Sequence, residues 1–126
     1  MAEPIVFIFK LRIRDEARDG LTRYLKEMNE FVEATEPRII AYQQFIDDAG
    51  TEMTDIQIHP DSESMEAHMQ VAGAKIAEAF QYVETASVEV CGNLSEALLE
   101  QMRQVAGSGV PVSIKEPLDG FHRLEV

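Results

Sequence analysis

Apolar and polar positions alternate along residues 5–14, with Ile5, Phe7, Phe9, Leu11 and Ile13 on one face and Val6, Ile8, Lys10 and Arg12 on the other. That period of two predicts a strand, apolar on both sides near its start and polar on one side near its end. From about Asp15 the period becomes helical, and Leu21, Leu25, Met28, Phe31 and Val32 form one stripe that ends before Pro37. Gly20 is a weak spot inside such a helix, costing about 1 kcal/mol relative to alanine. Residues 39–46 read as a second strand, and Asp47-Asp48-Ala49-Gly50 is turn chemistry leading to a third at residues 53–59. Those two strands form a hairpin.

In the third strand Met53, Asp55, Gln57 and His59 share one face and Thr54, Ile56 and Ile58 the other. Pro60 stops the strand, because it has no donor for a ladder. Ser62 or Ser64 then caps a helix over residues 62–82, with Glu63 and Glu66 near its positive end and a bend expected near Gly73. Met65, Met69, Ala72 and Ile76 recur at helical spacing, and His68 lies one turn past Ser64, beside that seam. Residues 87–90 supply a fourth strand ended by Gly92.

The order strand, helix, strand, strand, helix, strand is the α+β, ferredoxin-like βαββαβ plan, expected to occupy residues 1–93 as the core. Residues 94–126 read as an addition: a helix over 94–105 capped by Asn93 or Ser95, a short strand at 110–114, then an arm containing Phe121-His122-Arg123-Leu124. This C-terminal helix and arm are expected to pack on a neighbouring copy. In a four-stranded plan both helices cover one sheet face. The apolar residues on both sides of the first two strands therefore predict a homodimer closed sheet against sheet.

A chain of 126 residues fits one domain. Acidic residues outnumber basic ones 23 to 11, for a formal charge of −12, with no Lys/Arg cluster, which argues against a nucleic-acid partner. The sequence shows neither an export leader nor an apolar run of membrane-spanning length. The single Cys91 forms no internal disulfide, and a cytoplasmic protein is the expectation.

The strand Ala41-Tyr42-Gln43-Gln44-Phe45, and above all the strand leading into Ser64-Met65-Glu66-Ala67-His68, resemble the antibiotic biosynthesis monooxygenase-like proteins of the dimeric α/β-barrel superfamily over about the first three quarters of the chain. The resemblance implies a homodimer with a small apolar pocket between sheet and helices in each subunit. It also implies relatives that include cofactor-free oxygenases of quinols and polycyclic phenols, as well as haem-degrading enzymes. His68 falls where that family commonly has its helix histidine, Gln57 where many members carry glutamate, and His59 where an aromatic is common.

His68 is accordingly the candidate catalytic base, an imidazole being able to exchange a proton near neutral pH. Tyr42, Gln57, His59, Met65 and Met69 are the candidate substrate pocket. Each also has a plainer reading: Tyr42, Met65 and Met69 as core, and Asp55, Gln57 and His59 as a ladder exposed to water at the sheet edge. No phosphate loop, nucleophile motif, flavin fingerprint or metal-ligand spacing is visible, so no cofactor or metal is expected. The functional expectation is a cofactor-independent monooxygenase acting on a small aromatic or quinol; the alternative is a non-catalytic small-molecule binder or structural dimer of the same fold.

Overall fold

The computed structural model describes residues 3–124. Its elements in chain order are β1 (Ile5–Ile13), α1 (Arg18–Thr35), β2 (Ala41–Ile46), β3 (Glu52–His59), α2 (Ser62–Ala79), β4 (Val83–Cys91), α3 (Glu96–Gly107) and β5 (Val112–Lys115). The strands form one sheet in the order β2-β3-β1-β4-β5. The first four are antiparallel neighbours, as the ferredoxin-like plan requires, and β5 joins the β4 edge in parallel.

Register decides which side chains meet. Ile5, Phe7, Phe9 and Leu11 of β1 stand opposite His59, Gln57, Asp55 and Met53 of β3, all on the face beneath the helices. On β4, Val90 and Val88 pair with Phe7 and Phe9. Val6 and Ile8 pair with Ile58 and Ile56 on the far face, where Ala41 and Phe45 of β2 also point. The hairpin turn ends at Gly50, whose φ of 71° suits the residue without a Cβ, and the Asp47 carboxylate accepts from the amides of Thr51 and Glu52.

Several local expectations change. The α1 helix starts at Arg18 because Glu16 takes a left-handed φ of 61° in the turn before it. Gly20 lies inside α1, and a Cβ there would come within 2.6 Å of the Tyr82 ring, so its helical cost is offset by close packing. Neither Ser62 nor Ser64 caps α2; Asp61 does, its carboxylate accepting from the Ser64 amide at 2.9 Å. The helix then runs unbroken through Gly73 to Ala79. The β4 strand is longer than the 87–90 segment, since Val83 to Thr85 continue pairing with the end of β1 past an irregularity at Lys10/Leu11. Ser95 caps α3, accepting from Leu98.

Residues 96–115 contact the core and sheet of their own chain. Leu98 and Met102 of α3 are buried in the same cluster as Ile5, Phe7, Met65, Val88 and Val90, and β5 extends the chain's own sheet. This segment up to Lys115 completes the core of its own subunit, because α3 covers the part of the inner sheet face on which Val88 and Val90 lie. Residues 116–124 run without regular structure, carrying an exposed Leu118 and Phe121.

Candidate functional site

The face of β3 read as a water-exposed ladder is buried: Asp55 is 8 % exposed, Gln57 4 % and His59 0 %. The strand is interior, flanked by β2 and β1, so no sheet edge is available to it. Buried polar groups need partners, and these bond to one another in a directional chain. Ser64 Oγ lies 3.1 Å from His59 Nδ1, and His59 Nε2 lies 3.0 Å from Gln57 Oε1. Because a carboxamide oxygen only accepts, His59 donates through Nε2 and receives the Ser64 hydroxyl at Nδ1, which is the pattern of a neutral imidazole. Gln57 then donates to Asp55 Oδ2 at 3.2 Å, and from the other side Asn29 donates to Gln44, which donates to Asp55 Oδ1 at 3.3 Å. The Asp55 carboxyl is the common end of both arms.

Burial sets the electrostatics. Desolvation, then the nearby His68, pushes the His59 pKa down to about 3. Desolvation raises the Asp55 pKa above the usual carboxylate value, against the opposing N–H groups of Gln57 and Gln44. It also raises the phenol of Tyr42. A histidine whose folded pKa is depressed stabilises the fold above its unfolded value near 6.5, and that stability is lost as pH falls toward 3. We therefore expect the unfolding free energy from urea titrations to fall between pH 6.5 and pH 4 by up to about 1.4 kcal/mol per pH unit, and His59→Gln to flatten that slope. An unchanged slope in the variant would contradict the burial of a neutral His59. Asp55 works with the opposite sign, its contribution fading as pH rises through its folded pKa, so the two partly cancel in the wild type.

His68 projects from the second turn of α2 and is 1 % exposed. Its Nδ1 lies 2.8 and 2.9 Å from the two carboxylate oxygens of Glu36, the residue that ends α1. Nδ1–H therefore donates to Glu36, and Nε2, the acceptor of a neutral ring, is buried without a partner. The ring sits 5.5 Å from Tyr42 and 5.6 Å from His59, centroid to centroid. The only other buried side-chain polar atom without a partner among the described residues is the carboxamide oxygen of Gln101 on α3.

Both side chains line one cavity of about 520 Å³ between the inner sheet face, α2 and α3. Its sheet wall includes Phe7, Phe9, Tyr42, Asp55 and Gln57, its α2 wall His68, Met69 and Ile76, and its α3 wall Gln101, Met102 and Val105. It is a largely apolar enclosure with a few convergent polar groups, the usual character of a small-molecule site. Of the residues singled out from sequence, His68, Tyr42, Gln57 and Met69 line it. His59 and Met65 do not. His59 stands behind Gln57, holding it, and Met65 is core, packed with Ile5 and Leu98.

Three contributors were not anticipated. Glu36 gave one weak signal, a carboxylate before Pro37 where the helix must stop. Asp55 sits on a strand face whose sequence allows either a polar cluster or a wetted ladder, and the apolar stripe of α3 does not say what it packs on. Among the described residues no group of three or more His, Cys, Asp or Glu side chains is placed to hold a metal ion, and no helix is long and apolar enough to cross a membrane.

Neither a protein-family profile nor a curated protein sequence matches the chain. Solved structures do. MupZ from Pseudomonas fluorescens is similar over 98% of this chain and 91% of its own, with a TM-score of 0.77 at 18% identity. SnoaB from Streptomyces nogalater, a cofactor-independent oxygenase, is similar over 71% of this chain and 91% of its own, with a TM-score of 0.61 at 11% identity. A candidate antibiotic biosynthesis monooxygenase from Bacteroides thetaiotaomicron is similar over 70% of this chain and 85% of its own, with a TM-score of 0.59 at 18% identity. The chain has the fold of the antibiotic biosynthesis monooxygenase-like proteins.

Proposed function

We propose that the protein is a cofactor-independent oxygenase of a small, electron-rich aromatic, with His68 as its base. The observation that carries this reading is one side chain: His68 lines a largely apolar cavity, its Nδ1 is held by Glu36, and its buried Nε2 has no partner. A carboxylate on Nδ1 fixes the tautomer and stabilises the imidazolium formed when Nε2 takes a proton. The unpartnered Gln101 carboxamide, which offers N–H or C=O by rotating, suits a ring hydroxyl on the ligand. Likeness of fold to SnoaB adds support.

In this reading His68 removes a phenolic or enolic proton and the cavity keeps water from returning it. The electron-rich anion gives one electron to dioxygen, and the resulting substrate radical and superoxide combine at carbon to a peroxide. The peroxide takes up a proton and loses water, leaving a new C=O group. One oxygen atom enters the product and the other leaves as water. Tyr42, Gln57 and Met69 line the ligand space, and His59 positions Gln57 from behind.

The proposal includes a homodimer. The sheet face away from the helices carries Val6, Ile8, Ile56 and Ile58 beside an exposed Phe45, and a second copy laid on it would bury all five. Leu118 and Phe121 on the final stretch would then reach that copy.

Oxygen consumption with a panel of quinols and anthrone-like phenols tests the oxygenase. Uptake well above the buffer rate is expected with at least one. No uptake across the panel would end the reading. Thermal stabilisation by the same compounds, without uptake, would favour the non-catalytic binder instead.

A further inference from the structure

We infer that Asp55 is a second catalytic residue of this cavity: a carboxylic acid that donates to the carbonyl oxygen of an enolisable cyclic ketone while His68 takes the proton from the adjacent carbon. The inference rests on the proton-abstraction reading of His68 and names the substrate class for it. It adds a group that reading leaves idle.

The geometry supports an acid at this position. Asp55 lines the same cavity as His68, and among the described residues no Lys or Arg side chain pairs with it. Its two oxygens receive one carboxamide N–H each, at 3.2 and 3.3 Å. Ordinary N–H···O bonds fall at about 2.7–3.2 Å, so these lie at or just beyond the long end of that range. They are well suited to orientation, since the Gln57 and Gln44 arms approach from opposite sides and hold the carboxyl in place. The titratable groups facing it are Tyr24 from α1, Tyr42 from β2 and His68 from α2, with His59 further along its own strand. Burial pushes both phenols up, so neither contributes charge. An apolar ligand would strip the remaining water from the wall and favour the protonated carboxyl further.

The step balances without an oxidant. The C–H bond next to the carbonyl breaks and its proton passes to His68 Nε2. The electron pair forms the C=C bond, the carbonyl π pair moves to oxygen, and that oxygen takes the Asp55 proton. The product is the enol, and Asp55 regains its proton from solvent. Two groups of opposite proton state on one substrate allow each to work near its own pKa. Once His68 has passed its proton to solvent it can take the enolic one, which gives the anion that the oxygenase reading hands to dioxygen.

Deuterium exchange at the α-carbon of 2-tetralone and of anthrone, followed by NMR under anaerobic conditions, separates this step from oxygen chemistry. Wild-type protein is expected to accelerate exchange, with a rate that falls as pH rises through the titration of Asp55. Asp55→Asn keeps the shape but not the transferable proton, and should lose about a hundredfold in rate together with that alkaline fall. If Asp55→Asn does not fold, Gln44→Met carries the test: removing one N–H donor should move the alkaline fall to higher pH. Exchange by wild type without oxygen uptake would uphold the acid–base pair and end the oxygenase reading. No acceleration with either ketone, or Asp55→Asn exchanging within about threefold of wild type on an unchanged pH profile, would overturn the inference. In the latter case His68-dependent oxygen uptake could still stand.

Discussion

Replacing His68 with alanine is expected to lower turnover by about 10²–10⁴-fold, and Glu36→Gln by about tenfold to a hundredfold, with KM little changed in both. The two values differ because the residues do different things. Among the described residues His68 is the cavity-lining histidine and its Nε2 has no partner, so its loss removes the proposed proton acceptor. Glu36 touches only Nδ1, at 2.8–2.9 Å, and acts through the ring as a positioning residue. A glutamine there still accepts from Nδ1–H but supplies no charge to an imidazolium. The loss should therefore appear in kcat, where the charged ring forms, and not in ligand binding. Oxygen uptake at several substrate concentrations reads both numbers. A Glu36→Gln protein with wild-type kcat would mean that the contact only fixes the end of α1.

Changing Ile8 to glutamate should split the proposed dimer. Ile8 sits mid-sheet on the outer face, opposite Ile56 on one side and Glu89 on the other. In a two-fold arrangement of sheet on sheet, each copy would press one more carboxylate into a dry layer that already holds Glu89, where a buried charge costs several kcal/mol. At about 1.4 kcal/mol per factor of ten, association should weaken by a thousandfold or more. Sedimentation at micromolar concentration is expected to show two copies together for wild type and one for Ile8→Glu. A compact single chain for the wild type would remove the basis for a covered outer face.

Both predictions bear on what could be seen in the residue string. The β1 strand was legible because Ile5, Phe7, Phe9 and Leu11 alternate with Val6 and Ile8 over enough positions to exceed noise, and α1 because its stripe spans several turns. The sidedness of β3 was not. Asp55, Gln57 and His59 look like a wetted face and Ile56 and Ile58 like a core face, yet the structure inverts them, since polar groups satisfy one another beneath the helices. Period two gives the alternation but not which side is dry. The α3 helix is legible as a helix, but Leu98 and Met102 show an apolar stripe without naming what covers it. His68 was within reach through its neighbours. Its pairing with Glu36 joins residues 32 apart at the end of another helix, a tertiary contact that no local pattern encodes.

The wall supplied by α3 separates two tasks along the chain. The residues proposed to handle the proton, Glu36, Asp55 and His68, all precede the end of α2, while Gln101, Met102 and Val105 on a 12-residue helix line the other side of the same cavity. An engineer wishing to admit a bulkier or more hydrophilic guest could rewrite that short helix and leave the acid–base apparatus intact.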